Sequence, residues 1–283
     1  MMQVKKKVSV NDIIAMKGAE KISVLTAYDY STSLICDRAG VDVLLVGDSA
    51  GMVVLGHPST VPVGMPEMII FCGAVARGAK RAMIVGDMPF GSYQPNASVA
   101  VENAVQLIKA DCDAVKLEGG SEIFGTIKAT VDAGIPVMGH IGLKPQTSSL
   151  WEGYKLQGRT KESAMKLVQD ARALEKAGVF SIVLEMVASE VADAITKGVS
   201  VPTIGIGSGP GCDGQVLVLH DMLGIYEDIR PRFVKRYAEL SKSIFDAVTS
   251  YSREIKTGRF PEESNTFHIS PEELEKFRKE IKK

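Results

Sequence analysis

Four stretches of this chain share one pattern: an apolar, β-branched run that ends in a carboxylate. They are residues 42–49 (DVLLVGDS), 82–88 (AMIVGDM), 114–120 (AVKLEGG) and 181–187 (SIVLEMV), and they carry Asp48, Asp87, Glu118 and Glu185. Strands of a parallel sheet are covered on both faces and read as near-continuous hydrophobic runs. A charge at the end of such a run has to leave the core there, because burying it unpaired is costly. In a closed parallel barrel every strand ends at the same face. Side chains at those ends converge on one mouth, where barrel enzymes keep their chemistry. Convergent carboxylates repel one another unless a cation neutralises them, and a hard divalent ion such as Mg²⁺ suits oxygen ligands.

The rest of the chain supplies the other strands. Apolar runs also occur at residues 22–29, 136–142, 201–208 and 215–220. Helices are expected between them at 33–38, 66–80, 97–110, 121–133, from Thr160 to 178, and at 189–197. Pro66 suits a first helical turn, and Ser121 and Thr160 are residues that cap helices. Eight strands with crossover helices imply an α/β fold, a single (β/α)8 TIM barrel. An open doubly wound sheet is the alternative, but residues 205–211 read G-x-G-x-G-x-G and not the dinucleotide fingerprint, and no phosphate-binding P-loop occurs. Residues 10–16 read as a short N-terminal capping helix that plugs the barrel bottom. Residues 232–256 read as a long amphipathic helix. Residues 258–283 read as a polar surface tail with one helix, a C-terminal helical extension that docks on a neighbouring subunit. The whole chain, 1–283, is expected to be one catalytic domain.

Composition removes several function classes. The 33 Lys and Arg nearly cancel the 34 Asp and Glu, so there is no electrostatic case for nucleic acid or an anionic membrane. Cys36, Cys72, Cys112 and Cys212 are scattered with no C-x-x-C pair, which argues against zinc and redox motifs. Cys36 and Cys112 fall in expected helices, and the usage fits a reducing cytoplasm. The basic start has no apolar core behind it, so secretion is not expected. The long uncharged stretch 49–66 contains three prolines and three glycines, the composition of a loop and not of a membrane span.

Several residues could carry chemistry, each with a bland alternative. Asp48 and Asp87 both follow Val-Gly, and the glycine would let the backbone approach a ligand; a lone strand-end Asp is more often a cap or turn. Two on neighbouring strands, with Glu118 on the next, favour a metal site. Lys116 and Glu118 lie two apart in a strand and so point to one side. They are either a structural ion pair, or Lys116 holds a substrate carboxylate or a developing enolate oxygen. His140, inside PVMGHIG, is a backbone-bonded core histidine or an auxiliary group. Glu185 sits among apolar neighbours, where partial desolvation would strengthen it as a base; the alternative is a carboxylate paired with lysine. Gly205, Gly207 and Ser208 form a permissive loop that could hold a phosphate.

Taken in order, VGDSAGMVVLGHPSTVPV, VGDMPFGSY, AVKLEGG, GHIGLKPQ, VLEMV and TIGIGSGPGCDGQVLVLHDMLG resemble the ketopantoate hydroxymethyltransferase family, over about residues 10–261. The resemblance implies a Mg²⁺-dependent barrel of the phosphoenolpyruvate/pyruvate type, with one ion per subunit. It implies metal contacts at Asp48, Asp87 and Glu118, substrate contacts at Asp48, Ser49, Asp87 and Lys116, and a proton acceptor at Glu185. It also implies 5,10-methylenetetrahydrofolate as co-substrate and a homo-oligomer, commonly a decamer.

Overall fold

Eight short strands close on themselves. In a computed structural model of the chain, which describes residues 6–147, 155–228 and 231–282, they are β1 Ile22–Thr26, β2 Val43–Val46, β3 Met83–Asp87, β4 Ala114–Glu118, β5 Val137–Gly142, β6 Ser181–Glu185, β7 Thr203–Ile206 and β8 Gly214–Leu217. They lie in sequence order, all parallel, and β8 returns to pair with β1. This is the TIM barrel expected from the alternation. The open doubly wound alternative falls, because a closed barrel has no edge strand.

The barrel helices are α1 Val10–Ala15, α2 Tyr30–Ala39, α3 Ala50–Val53, α4 Met65–Gly78, α5 Ala97–Lys109, α6 Phe124–Asp132, α7 Lys161–Ala177, α8 Ser189–Gly198 and α9 Leu219–Met222. Their ends are written locally. Asp29 accepts from Thr32 N to start α2, which stops at Gly40 in the left-handed region at φ 91°. Thr160 caps α7 as expected, and Gly178 ends it. Ser121 does not cap: a short 3₁₀ turn, Ser121–Ile123, precedes α6, and Ser121 N donates to Asp170. Cys112 follows α5 and is not helical, although all four thiols are buried. His220 lies in α9, so the last strand is shorter than the run 215–220 suggested. The 49–66 loop contains α3, and residues 148–154 of the loop before Thr160 lie outside the described residues.

Period-two alternation sorts each strand into two packed layers. Val115 and Leu117 of β4, Ile182 and Leu184 of β6 and Ile84 of β3 pack outward under the helices. Ala114, Met83, Val85, Met138 and Val183 fill the barrel interior. Ile13 of α1 joins that interior cluster at 0% exposure, so the N-terminal helix does plug the barrel.

By its contacts the chain divides into two compact units, Met1–Tyr237 and Ala238–Lys283. The first contains the whole barrel. The second contains α10 Leu240–Lys256 and α11 Pro271–Glu280. It begins ahead of residue 258, and the helix expected from 232 starts only at Leu240. Among the described residues no helix is long and apolar enough to cross a membrane.

Candidate active site

The parity that fills the barrel also delivers its charges. On β4, Lys116 and Glu118 continue the inward series that begins with Ala114. On β3, Asp87 follows Met83 and Val85, and on β6, Glu185 follows Val183. Asp87 is registered beside Lys116 and Glu118 beside His140. Asp48 arrives differently. β2 ends at Val46, and the chain turns through Gly47 to bring Asp48 and Ser49 to the mouth. A Cβ on Gly47 would stand 2.8 Å from Ser49 Oγ and would push that hydroxyl out of its present place. Gly86 does not serve a ligand as expected. It faces the helices, where a Cβ would meet Cys112 Sγ at 2.9 Å.

Asp48, Ser49, Asp87, Lys116, Glu118, His140 and Glu185 all line one cavity of about 380 Å³, a size usual for small-molecule sites. Lys116 Nζ lies 2.8 Å from Asp87 Oδ1 and 3.3 Å from Glu118 Oε1. His140 Nδ1 is 3.2 Å from Glu118 Oε1, and its Nε2 is 3.3 Å from Glu185 Oε2. Asp48 N donates to Asp87 Oδ2 at 3.2 Å. The Ser49 hydroxyl pairs with that of Tyr28 at 2.8 Å. Ion pairs therefore link the residues singled out from the sequence, and the core-histidine reading of His140 gives way to a ring placed between two carboxylates.

Crowding shifts the cluster unevenly. Burial, and then the charges of Asp87 and Glu118, push Asp48 well above the usual carboxylate range. Burial raises Asp87 as well, against the opposing charge of Lys116. Burial would also raise Glu118, but Lys116 and His140 overcome it and hold the group at about 2. Burial and Lys116 both disfavour a charged His140; Glu118 and Glu185 outweigh them and lift it to about 9.

Asp48, Asp87 and Glu118 each present a carboxylate oxygen within 4.8 Å of the others, a set that could hold a metal ion. The donor state fits a hard cation. Asp87 Oδ1 is buried and faces the Lys116 ammonium at 2.8 Å. The three carboxylates bring more negative charge than Lys116 alone offsets. Both oxygens of Glu118 already have hydrogen-bond partners, Oε1 on Lys116 and Oε2 on the backbone N–H of Gln146.

Among the residues that sequence reasoning did not single out are Gln146 and Tyr93, which lie beneath the cavity lining. Both are buried, and both hydrogen-bond within the carboxylate cluster. A signal existed for one of them: Gln146 ends the GHIGLKPQ stretch, a polar residue just past a strand end on the mouth side. The Ser208 hydroxyl is spent in the structure, donating to Leu184 O at 2.7 Å and accepting from Val187 N at 2.9 Å. This weakens the phosphate reading of its loop.

Fold and site together define a (β/α)8 barrel with an acidic, metal-competent mouth. A family model described as ketopantoate hydroxymethyltransferase matches residues 7–263. The chain belongs to that family. A 3-methyl-2-oxobutanoate hydroxymethyltransferase of Nitrosopumilus maritimus is 57% identical over 274 residues, covering 96% of this chain and 98% of its own. One of Staphylothermus marinus is 55% identical, covering 96% and 100%. Among solved structures, phosphonopyruvate hydrolase aligns with a TM-score of 0.62 at 13% identity, covering 98% of this chain and 96% of its own. Phosphoenolpyruvate phosphomutase from Streptomyces platensis subsp. rosaceus aligns with a TM-score of 0.61 at 15% identity, covering 97% and 98%. At such identities these two share the fold alone.

Proposed function

We propose that this chain transfers a hydroxymethyl group from 5,10-methylenetetrahydrofolate to 3-methyl-2-oxobutanoate, giving 2-dehydropantoate, the first committed step of pantothenate biosynthesis. The observation that carries the reading is one cavity holding three carboxylates, a buried lysine and a fourth carboxylate suited to act as base. Family membership and the names of the relatives support the 2-oxo acid substrate and the hydroxymethyl group transferred.

In this reading Asp48 and Asp87 would hold Mg²⁺, with Glu118, whose oxygens are already engaged, beside them. The ion supplies Lewis-acid polarisation of the keto oxygen of a bound 2-oxo acid. Lys116 adds a second buried positive charge, suited to the substrate carboxylate or to charge developing on the C2 oxygen. Glu185, with 14% of its side chain exposed, removes the C3 proton. His140 orients Glu185 through its Nε2, 3.3 Å from Glu185 Oε2. The C3 electron pair then forms the bond to the one-carbon unit. Water supplies the hydroxyl oxygen as tetrahydrofolate leaves.

A Mg²⁺-dependent C–C lyase of a 2-oxo or 2-hydroxy acid would use the same groups and need no folate. The deciding assay is formation of 2-dehydropantoate from 3-methyl-2-oxobutanoate and methylenetetrahydrofolate with and without Mg²⁺. Product that forms only when all three are present supports the transferase. No product in a folded, Mg²⁺-loaded enzyme overturns it.

A further inference from the structure

Gln146 bears no charge and sits on no strand, yet it ties two of the cluster's carboxylates together. It is 0% exposed. Its Nε2 donates to Asp48 Oδ2 at 3.0 Å and to Met88 O at 2.9 Å. Its backbone N–H donates to Glu118 Oε2 at 3.2 Å. The Met88 carbonyl decides the orientation of the amide: it can only accept, so the NH₂ end must face it. That leaves Oε1 to accept from the Tyr93 hydroxyl at 2.8 Å. Tyr93 is anchored in turn, since its hydroxyl accepts from Glu118 N at 3.2 Å.

Asp48 follows β2 and Glu118 ends β4, so no local element fixes one relative to the other. Gln146 bonds both carboxylates, its side-chain amide Asp48 and its backbone N–H Glu118. The Gln146 amide also chooses which oxygen of Asp48 is spent. With Oδ2 engaged, Asp48 Oδ1 is the oxygen left for a cation, beside Asp87 Oδ1, which faces the Lys116 ammonium at 2.8 Å. Other residue types would lose this. A carboxylate at 146 would face two acceptors, and an aliphatic side chain would leave Asp48 Oδ2 and Met88 O without a donor.

We propose that Gln146, buttressed by Tyr93, is a positioning residue that sets the geometry of the metal-holding carboxylates, so that cation affinity depends on a neutral amide contacting no substrate. This rests on the reading that Asp48, Asp87 and Glu118 hold a divalent ion.

The test is calorimetric titration of Mg²⁺ into chelator-treated full-length protein, without substrate. Gln146→Met keeps the length of the side chain and removes its donors. It should weaken Mg²⁺ binding about 10- to 100-fold, the usual effect of losing a group that orients a metal ligand. Tyr93→Phe removes only the hydroxyl and should weaken it in the same direction by less. Raising Mg²⁺ should restore exchange of the C3 hydrogen of 3-methyl-2-oxobutanoate in Gln146→Met, a rescue that a merely structural defect would not show. A folded Gln146→Met protein with wild-type Mg²⁺ affinity overturns the proposal. If that variant does not fold, unchanged affinity in Tyr93→Phe overturns it. A wild-type protein that binds Mg²⁺ but leaves the C3 hydrogen in place overturns the proposed function and keeps the Mg²⁺ comparison readable. A wild-type protein that binds no Mg²⁺ overturns both.

Discussion

His140 Nε2 lies 3.3 Å from Glu185 Oε2, while Nδ1 of the same ring lies 3.2 Å from Glu118 Oε1. One imidazole thus joins the carboxylate assigned as base to a member of the metal cluster. In the proposed reading this ring orients the base and also faces the metal site.

Glu185→Gln keeps the shape of the side chain and removes its basicity. Exchange of the C3 hydrogen of 3-methyl-2-oxobutanoate with deuterated solvent, followed by NMR without folate, should fall by about 10²- to 10⁴-fold. Binding of Mg²⁺ and of the 2-oxo acid should persist. Wild-type exchange in this variant would move the base to His140.

His140→Asn should slow the same exchange by less than Glu185→Gln does, because it removes the orienting ring and leaves the base in place. The 2-oxo acid should still bind, as titration calorimetry would report. A variant that exchanges at the wild-type rate would reduce His140 to a packing residue.

Lys116→Met removes the buried charge that faces both Asp87 and Glu118. Binding of the 2-oxo acid should weaken in titration calorimetry. The metal-free protein should also lose about 3–5 kcal/mol in denaturant unfolding, the usual cost of stranding a buried charge. Unchanged substrate affinity would leave Lys116 as a structural partner only.

Asp48→Asn should abolish tight Mg²⁺ binding and turnover while stabilising the metal-free protein. Burial and neighbouring carboxylates raise Asp48 well above its ordinary 3.8. The folded state then holds a proton that the unfolded state releases. Its contribution to stability falls as pH rises from 3.8 through the raised folded value. Thermal melts in chelator should show the wild type losing stability over that rise and Asp48→Asn losing less. An identical pH dependence in both proteins would mean that the carboxylates are not crowded. Full wild-type activity after exhaustive chelation would remove the metal from the reaction.

The parts of this fold that repeat were legible in the chain. Continuous apolar runs announce parallel strands buried on both faces, and the regular return of helical segments announces crossovers. Period two alone places Lys116 and Glu118 on one side, and a charge closing an apolar run has one face to reach. Thr160 and Gly178 bracket α7 because caps act within a few residues. The amphipathic pattern from 232 overreached, since polarity alone does not say that 232–239 are helical.

Relations between strands and loops were decided only by closure. In a barrel the stagger of each strand against the next follows from how the whole sheet tilts and shuts. That is why Glu118 faces His140 across strands and why His140 meets Glu185, pairings that no spacing along the chain encodes. Asp48 enters through a turn that breaks the strand's alternation, and Gly86, in the same Val-Gly-Asp word as Gly47, packs under helices and not at the mouth. Gln146 lies on a loop with no period to betray it. It acquires a role because folding brings the ends of β2 and β4 within reach of one residue, whose side-chain amide donates to Asp48 and whose backbone N–H donates to Glu118. Local patterns fix what each residue's own segment becomes, whereas contacts between distant segments exist only once the barrel has closed.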